Sequence, residues 1–548
     1  MRRLGVIVAA LAASLVASGV ASGAPHAIGL APGADAAATA RVIERLTGSS
    51  VESLAPIPAI VADVPTGVSL GRVPGVRYVE RLGSRRLAFV PSDPLVQRQW
   101  YLTQSRFYES WLTMPALPPV RVAVIDSGVD VSHPELAGKV VAARSFVGGS
   151  ARVDALGHGT FVAGLIAAGV DNGIGIAGLA PSAELMVAKV VTRSRAIPVK
   201  AEVEAIRWAV DNGARVINMS LGGVRDPLDP DRDAYSRLEA DAIAYAVSRG
   251  VVVVAAVGNS DLASQGPWPY ASYPAALPHV LGVSAVAENG SVPRFSNRDR
   301  VYNDIAAPGE GILSIFPRPL TSRYPACVEQ GYSSCGPEEY REAQGTSFAA
   351  PQVSAAAAVL RALRPGLQPE QVTTILQRTA VDLTPATGCA TCTVGRDPVS
   401  GWGRLDMAAA IAALSQPPPR DRFEANDDVG PHAQRIRGSE RRLFATVDFW
   451  DDQDDVYALN LERGQGVYVG LSAPRAKPDL NLALWLPRTP SIEGVRNLRF
   501  RAATSTRAGS RQYLSFRARA RGLHFVQVRI SSPGATRYRL TIVKSDRP

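Results

Sequence analysis

Three short segments carry residues that together could turn a weak alcohol into a nucleophile: Asp126 in VAVIDSGVD, His158 in GHGTFVAG and Ser347 in GTSFAAPQ. A hydroxyl attacks poorly at neutral pH unless an imidazole takes its proton and a carboxylate orients that imidazole. Each residue also has a plainer use when taken alone. Ser347 could cap a helix, His158 could be a satisfied core histidine, and Asp126 ends the apolar run RVAVI, where a buried acid needs a partner. An imidazole would be that partner. His158 and Ser347 both open apolar helical segments, whose amino ends present backbone N–H groups and a positive dipole. Pro351 is expected in the first turn of the second segment, where a proline is tolerated.

These residues need a scaffold, and a chain of 548 residues exceeds one ordinary domain. Residues 1–24 read as a secretory signal: Arg2 and Arg3, an apolar run from Leu4 to Val16, then small residues up to Ala24. That run is too short to span a bilayer, so the expectation is export to an extracellular or periplasmic space with no stable membrane anchor. Four cysteines suit that compartment. Cys327 with Cys335 and Cys389 with Cys392 could each close a local disulfide bond, but sequence leaves all three pairings open. A four-thiolate zinc site is the competing use, and the usual pair of CxxC knuckles is missing.

Net charge is +10, and from Pro417 to Pro548 there are 23 Lys plus Arg against 14 Asp plus Glu, so nearly all the excess lies in the tail. Ten arginines and a single acid, Glu493, fall between Arg488 and Arg529. Such a face could meet an acidic surface or polymer, but a solvated Arg-rich face is the simpler reading. No nucleic-acid partner is expected, and the chain is expected to be a monomer.

From about Val120 to Leu414, apolar runs alternate with helical patterns. VRVAVID, ELMVAKVV, RVINMSLG, GVVVVAAVG and HVLGVSAV read as strands; 158–168, 201–212, 233–249, 346–363 and 369–380 read as helices. Near-continuous Val and Ile runs separated by helices predict an α/β fold, a mostly parallel sheet with helices on both faces. Ligands bind beyond the carboxyl ends of strands in such sheets, and Asp126 and Asn259 fall at strand ends. Residues 416–420 form a Pro-rich linker. Beyond it, 421–548 changes to short alternating runs such as DVYALNL and HFVQVRI, the pattern of an antiparallel β-sandwich.

The three motifs, their order and their apolar contexts resemble the subtilisin-like serine proteases, the subtilases, over about 300 residues. The resemblance implies a serine endopeptidase, with Ser347 as nucleophile, His158 as general base and then acid, and Asp126 fixing the tautomer. Asn259 in VVVVAAVGN matches the family's oxyanion-hole asparagine. Ser220, Leu221 and Gly222 match the strand along which an extended peptide pairs, and with Ala255, Ala256, Val257 and Gly258 they would wall an uncharged specificity pocket. A structural calcium ion is implied at VDNGIGIAGLAP: Asn172 with the carbonyls of Val170, Ile174 and Ile176, joined by Glu135 and Asp93.

The flanks carry resemblances of their own. IPAIVADVP and GVRYVE, within residues 25–90, look like a short α+β propeptide that acts as intramolecular inhibitor, with cleavage between Arg85 and Ser92 ahead of a catalytic domain at 91–415. FEANDD and DDQDDVYALNL make 421–548 similar to pre-peptidase C-terminal domains, some of which bind calcium; Glu424, Asn426, Asp427 and Asp454 are candidates on that ground. The leading expectation is a secreted zymogen acting on protein or peptide substrates. The alternatives are a narrow-specificity processing protease and a non-catalytic binding protein working through its basic tail.

Overall fold

The computed structural model describes residues 24–82, 89–111, 117–260, 266–321 and 339–545, apart from positions 419, 422, 425, 431–432, 450–451, 475–477, 493–494, 508 and 510. The expected leader lies outside these residues except for Ala24, and so do Cys327, Cys335 and the Arg85–Arg86 pair. The chain divides into two compact units, 1–87 and 88–548.

In the first unit, β1 (Ala24–Leu30), α1 (Ala36–Thr47), β2 (Val51–Ser53), β3 (Ala59–Val64) and β4 (Val76–Arg81) form an antiparallel sheet, order β2-β3-β1-β4, with one helix. The Asp35 carboxylate accepts from the Ala38 N–H to start α1, and Gly48, at φ 68°, ends it in the left-handed region that glycine tolerates. Ile28, Ile43 and Ile60 close its small core.

The second unit opens with two short helices, α2 (Trp100–Gln104) and α3 (Phe107–Trp111). Its main sheet is built from β5 (Val120–Asp126), β6 (Val140–Ser145), β7 (Ala183–Lys189), β8 (Val216–Met219), β9 (Val252–Ala256), β10 (Val280–Val286) and β11 (Ile305–Pro308). They run in the order β11-β10-β9-β8-β5-β7-β6, every neighbouring pair parallel. From β5 the chain runs out to the edge strand β6, returns through β7 and passes β5 to reach β8, so the adjacent strands β5 and β8 send their connections in opposite directions and the switch point lies beside Asp126. β6 and β11 went unread in the sequence because VVAARS and IAAP lack the long Val and Ile runs of their neighbours.

Interleaved with these strands are α4 (His158–Ala167), α5 (Val199–Asp211) and α6 (Arg237–Ser248); after β11 come a β12 (Ile312–Ile315) and β13 (Tyr340–Ala343) hairpin pair, α7 (Thr346–Leu363), α8 (Pro369–Thr379) and α9 (Met407–Ala413). Alternation along β5 sends Val120, Val122 and Val124 to the face covered by α4 and α7, and Ala123 and Ile125 to the face covered by α5 and α6. Both faces are thus buried, as parallel strands require. Alanine repeats in α7 let it lie close over the sheet, where Ala355, Ala356 and Ala357 are fully buried.

Pro351 is the sixth residue of α7, inside the helix and beyond the first turn expected for it. A proline there has no N–H for the carbonyl four residues earlier, that of Ser347. The Ser220 hydroxyl supplies the missing donor at 2.7 Å.

After α9 the linker is held where Gln371 Nε2 donates to the Pro418 carbonyl at 2.6 Å. The tail strands β14 (Gln434–Arg435), β15 (Glu440–Asp448), β16 (Asp454–Leu461), β17 (Gly466–Ser472), β18 (Leu480–Trp485), β19 (Arg501–Ser505), β20 (Arg511–Arg517), β21 (Gly522–Ile530) and β22 (Ala535–Ser545) form sheets ordered β14-β16-β21-β18-β19 and β15-β22-β17-β20. All pairs are antiparallel except the short β14–β16 edge. Leu459, Val469, Leu482, Val526 and Leu540 fill the space between the sheets. Cys389 and Cys392 lie at disulfide-bonding distance, with Cα atoms 5.4 Å apart.

Leu165 on α4 is fully buried in the larger core. Leu165→Ala is expected to lower stability by about 2–5 kcal/mol, the usual sum of lost transfer energy and cavity. Denaturant unfolding of the pair in a Ser347→Ala background measures this without self-digestion.

Candidate active site

Asp126 is the last residue of β5, and its strand partner across the β5–β7 ladder is Lys189, the last residue of β7. Asp126 is 2% exposed. Its carboxylate accepts from the Ser127 N–H at 2.7 Å and meets His158 Nδ1 at 2.8 and 3.0 Å through its two oxygens. This fixes the imidazole with Nδ1–H toward the acid and Nε2 toward the cleft.

A second buried carboxylate, Asp154, holds the helix that carries His158, and the sequence reading missed it. Asp154 accepts from Ser127 Oγ at 2.8 Å, from the N–H groups of Leu156, Gly157 and Thr160, and from Thr160 Oγ1. Gly157, in the N-cap position at φ 90°, has no side chain to cap α4, so Asp154 serves that need from outside the helix. Ser127 Oγ in turn accepts from the Gly159 N–H at 3.0 Å, tying the strand end of Asp126 to the helix start of His158. Lys189 Nζ donates to the Ser127 carbonyl. Burial lowers its pKa, while the charges of Asp154 and Asp126 work the other way. The only hint of Asp154 in sequence is an acid four residues before the helix, a common enough pattern to pass unread.

Burial by itself would pull the His158 pKa down, but the Asp126 charge and hydrogen bond, helped by Asp154, outweigh it and raise the ring above its ordinary 6.5. Asp154→Asn removes one of the raising charges. The His158 titration, followed by NMR of the imidazole in a Ser347→Ala background, is expected to move to lower pH; an unchanged midpoint would remove Asp154 from the electrostatics of the ring.

Ser347 is the second residue of α7 and lines the same cleft as Asp126, His158, Ser220 and Leu221. Its hydroxyl donates to the Ser220 carbonyl at 3.2 Å. Asn259 turns its Oδ1 to the N–H and hydroxyl of Thr346, at 3.0 Å each. That bond fixes the amide so that Nδ2 is the free end beside the α7 amino terminus.

An adjoining cavity of about 130 Å³ is lined by Ser220, Leu221, Gly222, Val224, Ala256, Gly258, Asn259, Trp268 and Ser272, with Asn297, Thr346 and Ser347. Among the described residues no charged side chain lines it. Ala255 and Val257 face the other way and are fully buried against α5 and α6, because neighbours on an extended strand alternate. Of the four expected wall residues from this strand, only Ala256 and Gly258 reach the cavity. Val224 and Trp268 belong to the lining and were not read from sequence.

The residues expected to hold calcium are also brought together. Asp93 accepts from the Asp171 and Asn172 N–H groups, Glu135 from the Ile176 N–H and Asn172 Nδ2, and Asn172 Oδ1 from the Ile174 N–H. Burial, opposed by these donors and reinforced by the Asp93 charge, raises Glu135 to a pKa of about 7. The side-chain oxygens therefore already serve as acceptors that clamp the loop. Each of these oxygens keeps a second lone pair, so the same set could also hold the expected calcium ion.

A profile of the Subtilase family matches residues 119–403. Subtilisin DY of Bacillus licheniformis is 37% identical over 265 residues, which is 48% of this chain and 84% of that protein. Subtilisin Savinase of Lederbergia lenta has the same identity and coverage. Thermitase of Thermoactinomyces vulgaris is 34% identical over 274 residues, 50% of this chain and 85% of its own length. The matched stretch holds Asp126, His158, Asn259 and Ser347 together with the whole parallel sheet, and the chain belongs to the subtilase family of serine-type endopeptidases.

Proposed function

We propose that this subtilase is exported as a zymogen and cleaves peptide bonds after apolar or uncharged side chains, using Ser347 as nucleophile. The observation that carries the reading is the single cleft lined by Asp126, His158, Ser220 and Ser347, with the His158 ring already bonded to Asp126. In the absence of substrate the Ser347 hydroxyl donates to the Ser220 carbonyl. An extended peptide pairing along Ser220 to Gly222 offers its own N–H to that carbonyl, which frees the hydroxyl to donate to His158 Nε2. The serine proton then passes to His158 as Oγ attacks the scissile carbonyl, and Asp126 stabilises the imidazolium. Asn259 Nδ2 and the Ser347 N–H hold the oxyanion; His158 returns the proton to the leaving amine, and a water repeats the sequence on the acyl-enzyme.

The raised His158 pKa has a consequence for rate. Only the neutral ring can accept the serine proton, so kcat/KM is expected to fall on the acid side with a midpoint above 6.5. A midpoint below that value would contradict the electrostatics described above.

Labelling by a fluorophosphonate is expected for the processed wild type and not for Ser347→Ala; an unlabelled wild type would leave the non-catalytic reading standing. Asn259→Ala is expected to lower kcat by about 10²- to 10³-fold with little change in KM. That magnitude is the one known for subtilisin's own oxyanion donor and is carried over from the family. Peptides varied before the scissile bond are expected to favour apolar residues, given the uncharged cavity; best cleavage after Lys or Asp would overturn that preference.

The first unit is read as the propeptide because it precedes the matched domain and has its own small core. Amino-terminal sequencing of the active form is expected to begin after Arg85.

A further inference from the structure

The Arg-rich stretch of the tail does not gather on one face. Arg529 pairs with Asp454 at 2.9 Å and Arg521 with Glu462 at 3.4 Å, whereas Arg511 and Arg517 stand on β20, in the sheet ordered β15-β22-β17-β20. Alternation along these strands sends Leu443, Val469, Leu514 and Leu540 into the core of the sandwich and their neighbours outward. Positive charge collects on that outward side.

Strand register sets the outward residues in rows. One row across the sheet reads Phe444 on β15, Arg539 on β22, Ser472 on β17 and Arg511 on β20. Arg539 and Arg511 are two strands apart, about 10 Å, and Arg537 stands two residues along from Arg539 on the same side. Among the described residues none of these three arginines forms an ion pair. The next row holds Arg442, Thr541, Gly470 and Tyr513. The outward acids of these four strands are Glu440 and Asp448, at the two ends of β15, and Glu440 is already paired with Arg442 at 3.3 Å.

Aromatic rings share this face with the cations. Phe444, Tyr468 and Tyr513 are 60%, 47% and 50% exposed, and of the large apolar side chains exposed in the described tail only Leu498 lies elsewhere. Exposed rings gathered on one face mark a contact surface. A Cβ at Gly470 would come within 3.3 Å of the Tyr468 ring, so the glycine lets that ring lie along β17, beside the Tyr513 that stands opposite Gly470. The Arg507 guanidinium lies 4.4 Å from the Tyr513 ring centroid and donates to its hydroxyl.

We propose that this face binds an acidic polysaccharide, a polymer whose sugars carry carboxylate or sulfate groups. Guanidinium groups pair with such oxyanions in a forked geometry, and the C–H groups on the face of a sugar ring pack against an aromatic ring. The spacing of Arg511 and Arg539 suits acid groups borne two sugars apart on an extended chain. A single-stranded nucleic acid also stacks on aromatic rings, but proteins that hold one track its backbone along a basic groove. Here the arginines stand across an open sheet face. The inference rests on the tail alone and is independent of catalysis.

The test uses the full chain carrying Ser347→Ala and measures its binding to polygalacturonate, a uronic-acid polymer, by calorimetry. Binding is expected to weaken as salt is raised, and none is expected to dextran, which is uncharged. Arg537→Gln with Arg539→Gln is expected to weaken binding about 10-fold or more and to flatten its salt dependence. Tyr468→Ala is expected to weaken it by at least about 5-fold with the salt dependence unchanged, because a stacking surface goes and no charge does. Arg499→Gln with Arg501→Gln removes the same charge beside the other sheet and should leave affinity within about twofold of the parent. An equal loss in the two arginine pairs would reduce the effect to net charge and overturn the proposal. So would no binding to polygalacturonate, equal binding to dextran, or tighter binding to oligothymidylate than to polygalacturonate.

Discussion

A buried carboxylate must be given donors, and the active site is built around meeting that requirement twice. Asp126 is satisfied by the Ser127 N–H and by His158; Asp154 is satisfied by five donors from Ser127, Leu156, Gly157 and Thr160. Because Ser127 bonds to both acid-held segments, the strand end and the helix start cannot move independently. The imidazole is thereby oriented before substrate arrives, and orientation fixed in advance is what makes general-base catalysis effective.

The same economy appears on the nucleophile side. Pro351 removes a helical donor from the Ser347 carbonyl, and Ser220, on the strand expected to bind substrate, replaces it. Ser220 also accepts the Ser347 hydroxyl through its own carbonyl, so two bonds between these residues link the substrate strand to the nucleophile. Asn218 and Ser354 extend the link behind them: Asn218 Nδ2 donates to Ser220 Oγ at 3.0 Å and Ser354 Oγ to Asn218 Oδ1 at 2.8 Å. A change anywhere along this line acts on the position of Oγ without touching substrate.

Much of this was legible from the chain. Asp126, His158, Asn259 and Ser347 stand in motifs whose order and context identify the family, and the Val-rich runs of β5, β9 and β10 announce strands buried on both faces. The elements that escaped lack such a signal. β6 and β11 are short and mixed, Asp154 is one acid among many, and Lys189 reads as the polar end of a strand. Wall residues were over-assigned because a resemblance carried over a whole segment, while alternation along β9 and its extension turns Ala255 and Val257 into the core.

The sequence by itself determined the chemistry, the fold class and the change of architecture at the Pro-rich linker, since these rest on residue types and periodicities that are local. Only the tertiary structure decided which polar groups share a partner. Asp126 with Lys189, Ser220 with Ser347, and His279 with Asp427 are each separated by more than 60 residues and meet only when strands and domains are packed. Hydrogen bonds and charges act over a few ångströms in space, and distance along the chain does not encode that.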